Sequence, residues 1–335
     1  MIGSVKNAEK HIVENSGGSK VLNYSFLCGE RGGPLLVEGQ GPLTQAVVPE
    51  LGEFKARLGE HGAILFRGFA VRDADDFDAF VSQWSADHLK YMYRSTPRSE
   101  VTRHVVTSTS YPASLEIPLH NENSYHRTWP RTVAFCCIEA AAQGGETPIA
   151  PMDAVTRRIG PQLTEKFQRK QVEYVRHYHE GIDLPWQSVF QTDSRDEVRE
   201  YCDQNGIACE WLGGSLLRTS GIAQGVATHP RSGETVFFNQ AHLFHVSSLG
   251  AGHAQALTEL YGADRLPRHA RYGDGSEIPE EDLGAVRSAF AESTIAFPWR
   301  NGDVLILDNM AYAHGRRPFK GSRKVLAALM DAHES

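Results

Sequence analysis

Three side chains constrain this fold more than anything else in the sequence: His120 and Glu122 in Leu119-His-Asn-Glu-Asn-Ser-Tyr125, and His314 in Asp308-Asn-Met-Ala-Tyr-Ala-His-Gly-Arg316. Side chains two apart on an extended strand project to one side, so a strand through this first motif offers an imidazole and a carboxylate together while Asn121 points away. The second imidazole comes 194 residues after His120, so the fold has to return a late strand to the side of an early one. Two imidazoles and one carboxylate on one face, with the opposite positions open, is the donor set of non-haem Fe(II) enzymes that use oxygen. His-x-Glu alone is weak evidence in a chain with 15 histidines; the surrounding motifs strengthen it.

Gly144-Gly-Glu-Thr-Pro148 follows the first pair, and Gly321-Ser-Arg-Lys-Val-Leu326 follows the last histidine. A dicarboxylic 2-oxoacid chelates iron through its 1-carboxylate and keto oxygen, which leaves its far carboxylate for a guanidinium fork and a hydroxyl. Arg323 supplies the fixed charge and paired donors, and Thr147 supplies the hydroxyl. Taken singly, a surface arginine opening a strand and a turn threonine behind two glycines explain these residues equally well.

The chain resembles the TauD/TfdA (taurine dioxygenase-like, clavaminate synthase-like) family of Fe(II)/2-oxoglutarate-dependent oxygenases. The resemblance is carried by Gly62-Ala-Ile-Leu-Phe-Arg-Gly-Phe69, His120-Asn-Glu122, Gly144-Gly-Glu-Thr147, Asn239-Gln240 after a Phe-Phe pair, and His314-Gly-Arg316 with Arg323, running in family order over about residues 45 to 330. It implies a double-stranded β-helix (jelly-roll) core of the α+β class with flanking helices. It also implies Fe(II) on His120, Glu122 and His314, 2-oxoglutarate held through Thr147 and Arg323, and O2 as the oxidant. Many members have Asp where this chain has Glu122; clavaminate synthase-like members use Glu. The carboxylate argues against halogenation, since related halogenases replace it with a small residue to admit a halide. The similarity of His-Asn-Glu followed by Ser-Tyr, and of His-Gly-Arg-x-Pro-Phe, to members that tailor amino acids implies hydroxylation of an amino-acid-like substrate, free or carrier-bound, in natural-product biosynthesis. Desaturation or cyclisation is the alternative outcome. Asn121, Ser124, Tyr125, Arg218 and Arg316 are the candidate substrate contacts, Arg218 as an anchor for a carboxylate and Arg316 also as an orienting group behind the metal. A solvated Arg218 and a salt-bridged Arg316 are equally good readings of the residues alone.

At 335 residues the chain suits one sheet-based catalytic domain with an insertion. We expect a loosely ordered segment at 1–20 and a single domain over 21–335, with a helical and loop insert at about 151–300 that forms a lid. A charge of −7 without a basic run excludes a nucleic-acid footprint. Five cysteines, odd in number and lacking Cys-x-x-Cys, suggest neither a disulfide framework nor a zinc knuckle. Cys136 and Cys137 should face opposite sides of a strand. No signal-peptide core and no run near 18 apolar residues appears, so no membrane association and a cytoplasmic location are expected.

Periodicity predicts helix across Leu43–Leu58, a buried strand at Ala63–Phe66 and an amphipathic helix from Asp73 to Trp84. It predicts a loop through Lys90–Leu115, strands at Thr132–Ile138 and from Thr147, and helices at Ile159–Gln171 and about Arg195–Asn205, the latter capped by Asp193 or Ser194. Strands at Asp303–Asp308 and Lys324–Met330 bracket His314. His242 and His245 stand three apart as helical metal ligands can, but their aromatic neighbours favour a structural wall. His177 and His179 share a face without a nearby partner. A zinc hydrolase on the same ligands and a non-catalytic 2-oxoglutarate-binding protein are the other function classes; the intact triad with Thr147 and Arg323 argues against the latter.

Overall fold

The computed structural model describes residues 9–13, 20–27, 33–89, 93, 99–108 and 111–334. The returning strand that the triad demands is present. Tyr312–Arg316 lies antiparallel to Ile117–His120, with His314 directly opposite His120, and pairs on its other edge with Ile149–Pro151.

This three-stranded sheet faces a larger one of eight strands. Their order is Glu9–Val13, Lys20–Phe26, Leu35–Glu38, Ala63–Arg67, Val304–Asp308, Thr128–Glu139, Lys324–Glu334 and Val106–Thr107. Its central strands read as unbroken apolar runs because both faces are buried. Alternation then sorts each run in two. Leu65, Val133, Phe135, Leu305, Leu307, Val325 and Ala327 join Ile149 and Tyr312 of the smaller sheet in one core. Ile64, Phe66, Ala134, Cys136, Val304, Ile306, Leu326 and Ala328 meet the helices on the outer face. Cys136 and Cys137 fall into different cores, as strand alternation requires. The four described cysteines are free, and Cys28 lies outside the described residues.

The outer-face helices form where the periodicity places them. Pro49, lacking an N–H, divides the first into Leu43–Val47 and Leu51–His61. Ala74–Trp84 begins where the Asp73 carboxylate accepts the Asp76 N–H at 2.9 Å, and it buries Phe77, Phe80, Val81 and Trp84. Truncating a fully buried aromatic such as Phe80 costs about 3–5 kcal/mol. Of the N-terminal segment, Glu9–Val13 pairs with Lys20–Phe26; the remainder of 1–19 lies outside the described residues, as do 90–92 and 94–98 of the expected loop.

The insert carries the two expected helices, as Pro161–Lys170 and Arg195–Gln204, and a further one at Glu280–Glu292. Ser194, not Asp193, caps the second of these, its hydroxyl accepting the Glu197 N–H. The insert also holds an antiparallel sheet absent from the sequence expectation, in the order Ile207–Trp211, Leu217–Ala223, Val172–His177, Arg268–Tyr272. One face carries charged cross-strand pairs, such as Glu173 opposite Arg271 with a 2.6 Å ion pair, while the buried Arg176 shares the other face with Val172 and Tyr174 and interrupts its apolar pattern. No helix among the described residues is long and apolar enough to cross a membrane.

Candidate active site

His120, Glu122 and His314 converge: one ligand atom from each lies within 4.8 Å of the others. The His314 Nε2 stands 3.6 Å from the Glu122 carboxylate, and the two imidazole centroids are 4.7 Å apart. Glu122 reaches this position differently from the strand-alternation expectation. The strand ends at His120, and Glu122 lies in the turn that follows.

The donor chemistry fits a divalent metal. His120 Nδ1 lies 2.9 Å from the Pro118 carbonyl; a carbonyl only accepts, so Nδ1 carries the proton and Nε2 keeps its lone pair for a ligand. Glu122 is 2% exposed, and a carboxylate that deep needs a cationic or metal partner. His314 Nδ1 is buried with no hydrogen-bond partner among the described residues. Phe135 packs against the His314 ring, with centroids 4.9 Å apart.

Thr147 and Arg323 line the same cavity as His120 and His314. Arg323 donates from Nε to the Gly145 carbonyl (2.8 Å), and its Nη2 stands 3.5 Å from the Thr147 hydroxyl. Burial first, then the charge of Arg316, pushes the Arg323 pKa down; the guanidinium is short of compensating negative charge, as a dicarboxylate subsite should be. The glycine pair makes the approach sterically workable. Both residues have positive φ, and a Cβ on Gly145 would sit 3.0 Å from Arg323 Cδ, one on Gly144 2.2 Å from the Pro318 carbonyl oxygen. Trp299, which the sequence reading missed, donates its indole N–H to Thr147.

The candidate substrate contacts lie elsewhere or are engaged internally. Asn121 Nδ2 donates to the Asn309 carbonyl (2.6 Å), Ser124 Oγ to the Asn121 carbonyl (3.0 Å) and Tyr125 Oη to the Tyr93 carbonyl (3.0 Å). Arg316 donates to the carbonyls of Tyr111, Pro112 and Leu115, holding the loop beside the cavity rather than forming a salt bridge. Arg218 lines a different cavity with His177, His245, His269 and Glu277.

His242 and His245 do not share a site. His242 is buried against the Leu119 carbonyl (3.0 Å) and stacked on Phe290. His245 instead meets His269 and Glu277. There the backbone N–H of Ser247 donates to His245 Nδ1 (3.2 Å) and that of Val246 to His269 Nδ1 (3.5 Å). Each neutral ring therefore carries its proton on Nε2, facing Glu277 Oε2 at 3.9 and 3.0 Å. His269 is within hydrogen-bond distance of the carboxylate and His245 faces it beyond that distance, so both turn an N–H rather than a lone pair toward Glu277.

Residues 38–330 match the family described as Taurine catabolism dioxygenase TauD, TfdA family. Dapdiamide synthesis protein DdaC of Enterobacter agglomerans is 43% identical over 274 residues, covering 82% of this chain and 83% of that protein. A clavaminate synthase-like protein of Arabidopsis thaliana is 30% identical over 297 residues, covering 85% and 86%. In fold, the chain is similar to PvcB of Pseudomonas aeruginosa, described as an Fe, alpha-ketoglutarate dependent oxygenase from an isonitrile synthetic pathway. The TM-score is 0.53 at 16% identity, covering 100% of this chain and 96% of that one. A jelly roll closing two imidazoles and a carboxylate beside an arginine and a threonine defines a non-haem oxygenase that uses Fe(II), 2-oxoglutarate and O2. The chain belongs to the TauD, TfdA family.

Proposed function

We propose that this oxygenase hydroxylates an unactivated C–H bond of an amino acid or amino-acid-derived intermediate, free or carrier-bound, in a natural-product pathway. In this reading His120, Glu122 and His314 hold Fe(II), and Thr147 and Arg323 hold the 5-carboxylate of 2-oxoglutarate. The observation that carries it is the shared cavity, which the two histidines line together with Arg323 and Thr147. The similarity to a dapdiamide synthesis protein supports a place in a natural-product pathway.

Bound Fe(II) supplies oxygen activation coupled to decarboxylation of 2-oxoglutarate, so that C–H, 2-oxoglutarate and O2 become C–OH, succinate and CO2. The protein's own residues supply the positioning. His120 Nε2 is kept unprotonated by the Pro118 carbonyl at its other nitrogen. Glu122 brings a negative charge into a buried site, where its attraction for a dication is strong. Phe135, Ile117 and Val325 wall the cavity with apolar surface and limit access of water.

Anaerobic titration with Fe(II) and 2-oxoglutarate should give a weak visible charge-transfer band, lost on admitting air. Free and carrier-loaded amino acids would then be screened for succinate release coupled to a mass gain of one oxygen. Absence of the band refutes the assignment of the site; a band with no coupled product across the panel refutes the substrate class.

A further inference from the structure

Strand pairing sets His120 opposite His314, but it does not set Glu122, which lies in the turn beyond the strand. The turn is fixed by one side chain. Asn309, fully buried between the strands Val304–Asp308 and Tyr312–Arg316, accepts the Glu122 N–H on Oδ1 at 2.7 Å and donates from Nδ2 to the Glu122 carbonyl at 2.9 Å. The same Nδ2 donates to the Pro130 carbonyl at 2.8 Å. Its backbone is equally committed: the N–H donates to the Arg131 carbonyl (2.8 Å) and the carbonyl accepts from Asn121 Nδ2 (2.6 Å).

An amide is the side chain this geometry requires, because one oxygen must accept from an N–H while one nitrogen donates twice. Aspartate has the shape but neither donor, and its charge would face two carbonyl oxygens. Gln240 and His242 brace the same stretch from the insert, bonding the Asn121 and Leu119 carbonyls at 2.8 and 3.0 Å. Asn309 grips the peptide groups on both sides of Glu122 and also stands five residues before His314, in the turn that leads into the strand carrying it.

We propose that Asn309 is the positioning residue that registers the carboxylate ligand against the distal histidine, so that metal affinity depends on its amide. This rests on the reading that His120, Glu122 and His314 hold the metal. Groups that orient metal ligands change affinity by about 10–100-fold when removed; for Asn309→Asp and Asn309→Ala we expect the Mn(II) dissociation constant to rise about tenfold or more.

The test is titration of the metal-free full chain with Mn(II), with the free ion followed by electron paramagnetic resonance and folding followed by circular dichroism and thermal melting. Wild type and Glu122→Ala come first: if they bind alike, the ligand assignment fails and the Asn309 proposal with it. If Glu122→Ala loses binding, the Asn309 variants decide the proposal independently. A folded variant with a weakened Mn(II) site supports it. A folded variant within twofold of wild type overturns it, even with a lowered melting temperature. If neither Asn309→Asp nor Asn309→Ala folds, the residue is structural and the proposal fails.

Discussion

Trp299 donates its indole N–H to the hydroxyl oxygen of Thr147 at 3.0 Å, and both side chains are buried. The direction of that bond matters. With its oxygen already accepting, the Thr147 hydroxyl has its own proton to donate, and Arg323, 3.5 Å from the same oxygen, marks where an anion would sit. Trp299→Phe keeps the ring and removes the donor. Losing one buried hydrogen bond of about 1 kcal/mol corresponds to roughly a fivefold rise in KM for 2-oxoglutarate, with metal affinity unchanged. Steady-state kinetics with varied 2-oxoglutarate would show it; an unaltered KM would remove Trp299 from the subsite.

The loop that carries Trp299 is itself anchored. Arg67 forms a fork with the Asp303 carboxylate at 2.6 to 3.2 Å and donates to the Pro298 carbonyl at 2.9 Å, while Asp303 accepts the Arg300 N–H at 2.8 Å. Asp303 is fully buried, so Asp303→Ala strands the guanidinium and should destabilise by about 3–5 kcal/mol. Urea unfolding measures the loss. If the loop acts through Trp299, adding Trp299→Phe to Asp303→Ala should raise the 2-oxoglutarate KM by less than the product of the single effects. Independent effects would show that the anchor and the subsite are uncoupled.

What the sequence displayed and what it hid divide along a physical line. His120, Glu122, His314, Thr147 and Arg323 were legible because their side-chain chemistry is itself the signal, and convergence needed only a fold that returns. Asn309 and Trp299 were not, because they act on backbone carbonyls, a backbone N–H or one hydroxyl, and those partners are chosen by the fold. The central strands were legible as unbroken apolar runs with both faces covered. The insert's sheet was not, since Arg176 lies buried on the same face as Val172 and Tyr174 and breaks the apolar period along that strand. Even for Glu122 the spacing gave the right partner by the wrong local structure, a turn in place of a strand.

In the proposed reading, Arg323 and the triad divide the work in a way that substitution can separate. Lysine at 323 keeps a charge but loses the planar fork held by the Gly145 carbonyl. Arg323→Lys should therefore raise the 2-oxoglutarate KM at least about tenfold, the cost of one charge-assisted bond, and leave Mn(II) affinity unaltered. Glu122→Ala should do the opposite first, abolishing metal binding. Calorimetric titration of each variant with metal and then with 2-oxoglutarate distinguishes them; a loss of Mn(II) affinity in Arg323→Lys would contradict two separable subsites.

Asp308 ties the turn before Asn309 to the insert, accepting from His229 Nε2 (3.1 Å), Arg231 Nη2 (2.8 Å) and the Met310 N–H (3.0 Å). Burial alone would raise its pKa, but the hydrogen bond and charge of His229, the Met310 N–H and Arg231 outweigh it and hold the carboxyl below its usual range. A folded pKa below the unfolded value of about 3.9 means the ionised group stabilises the fold fully above that value, and the contribution fades as pH falls through the folded pKa. Asp308→Asn should therefore cost about 3 kcal/mol at neutral pH, as breaking a buried ion pair does. Followed from about pH 8 downward, its stability gap from wild type should narrow below about pH 4. Urea unfolding across that range reads the gap directly, and a difference that persists undiminished at pH 3 would show that Asp308 acts by shape and not by charge.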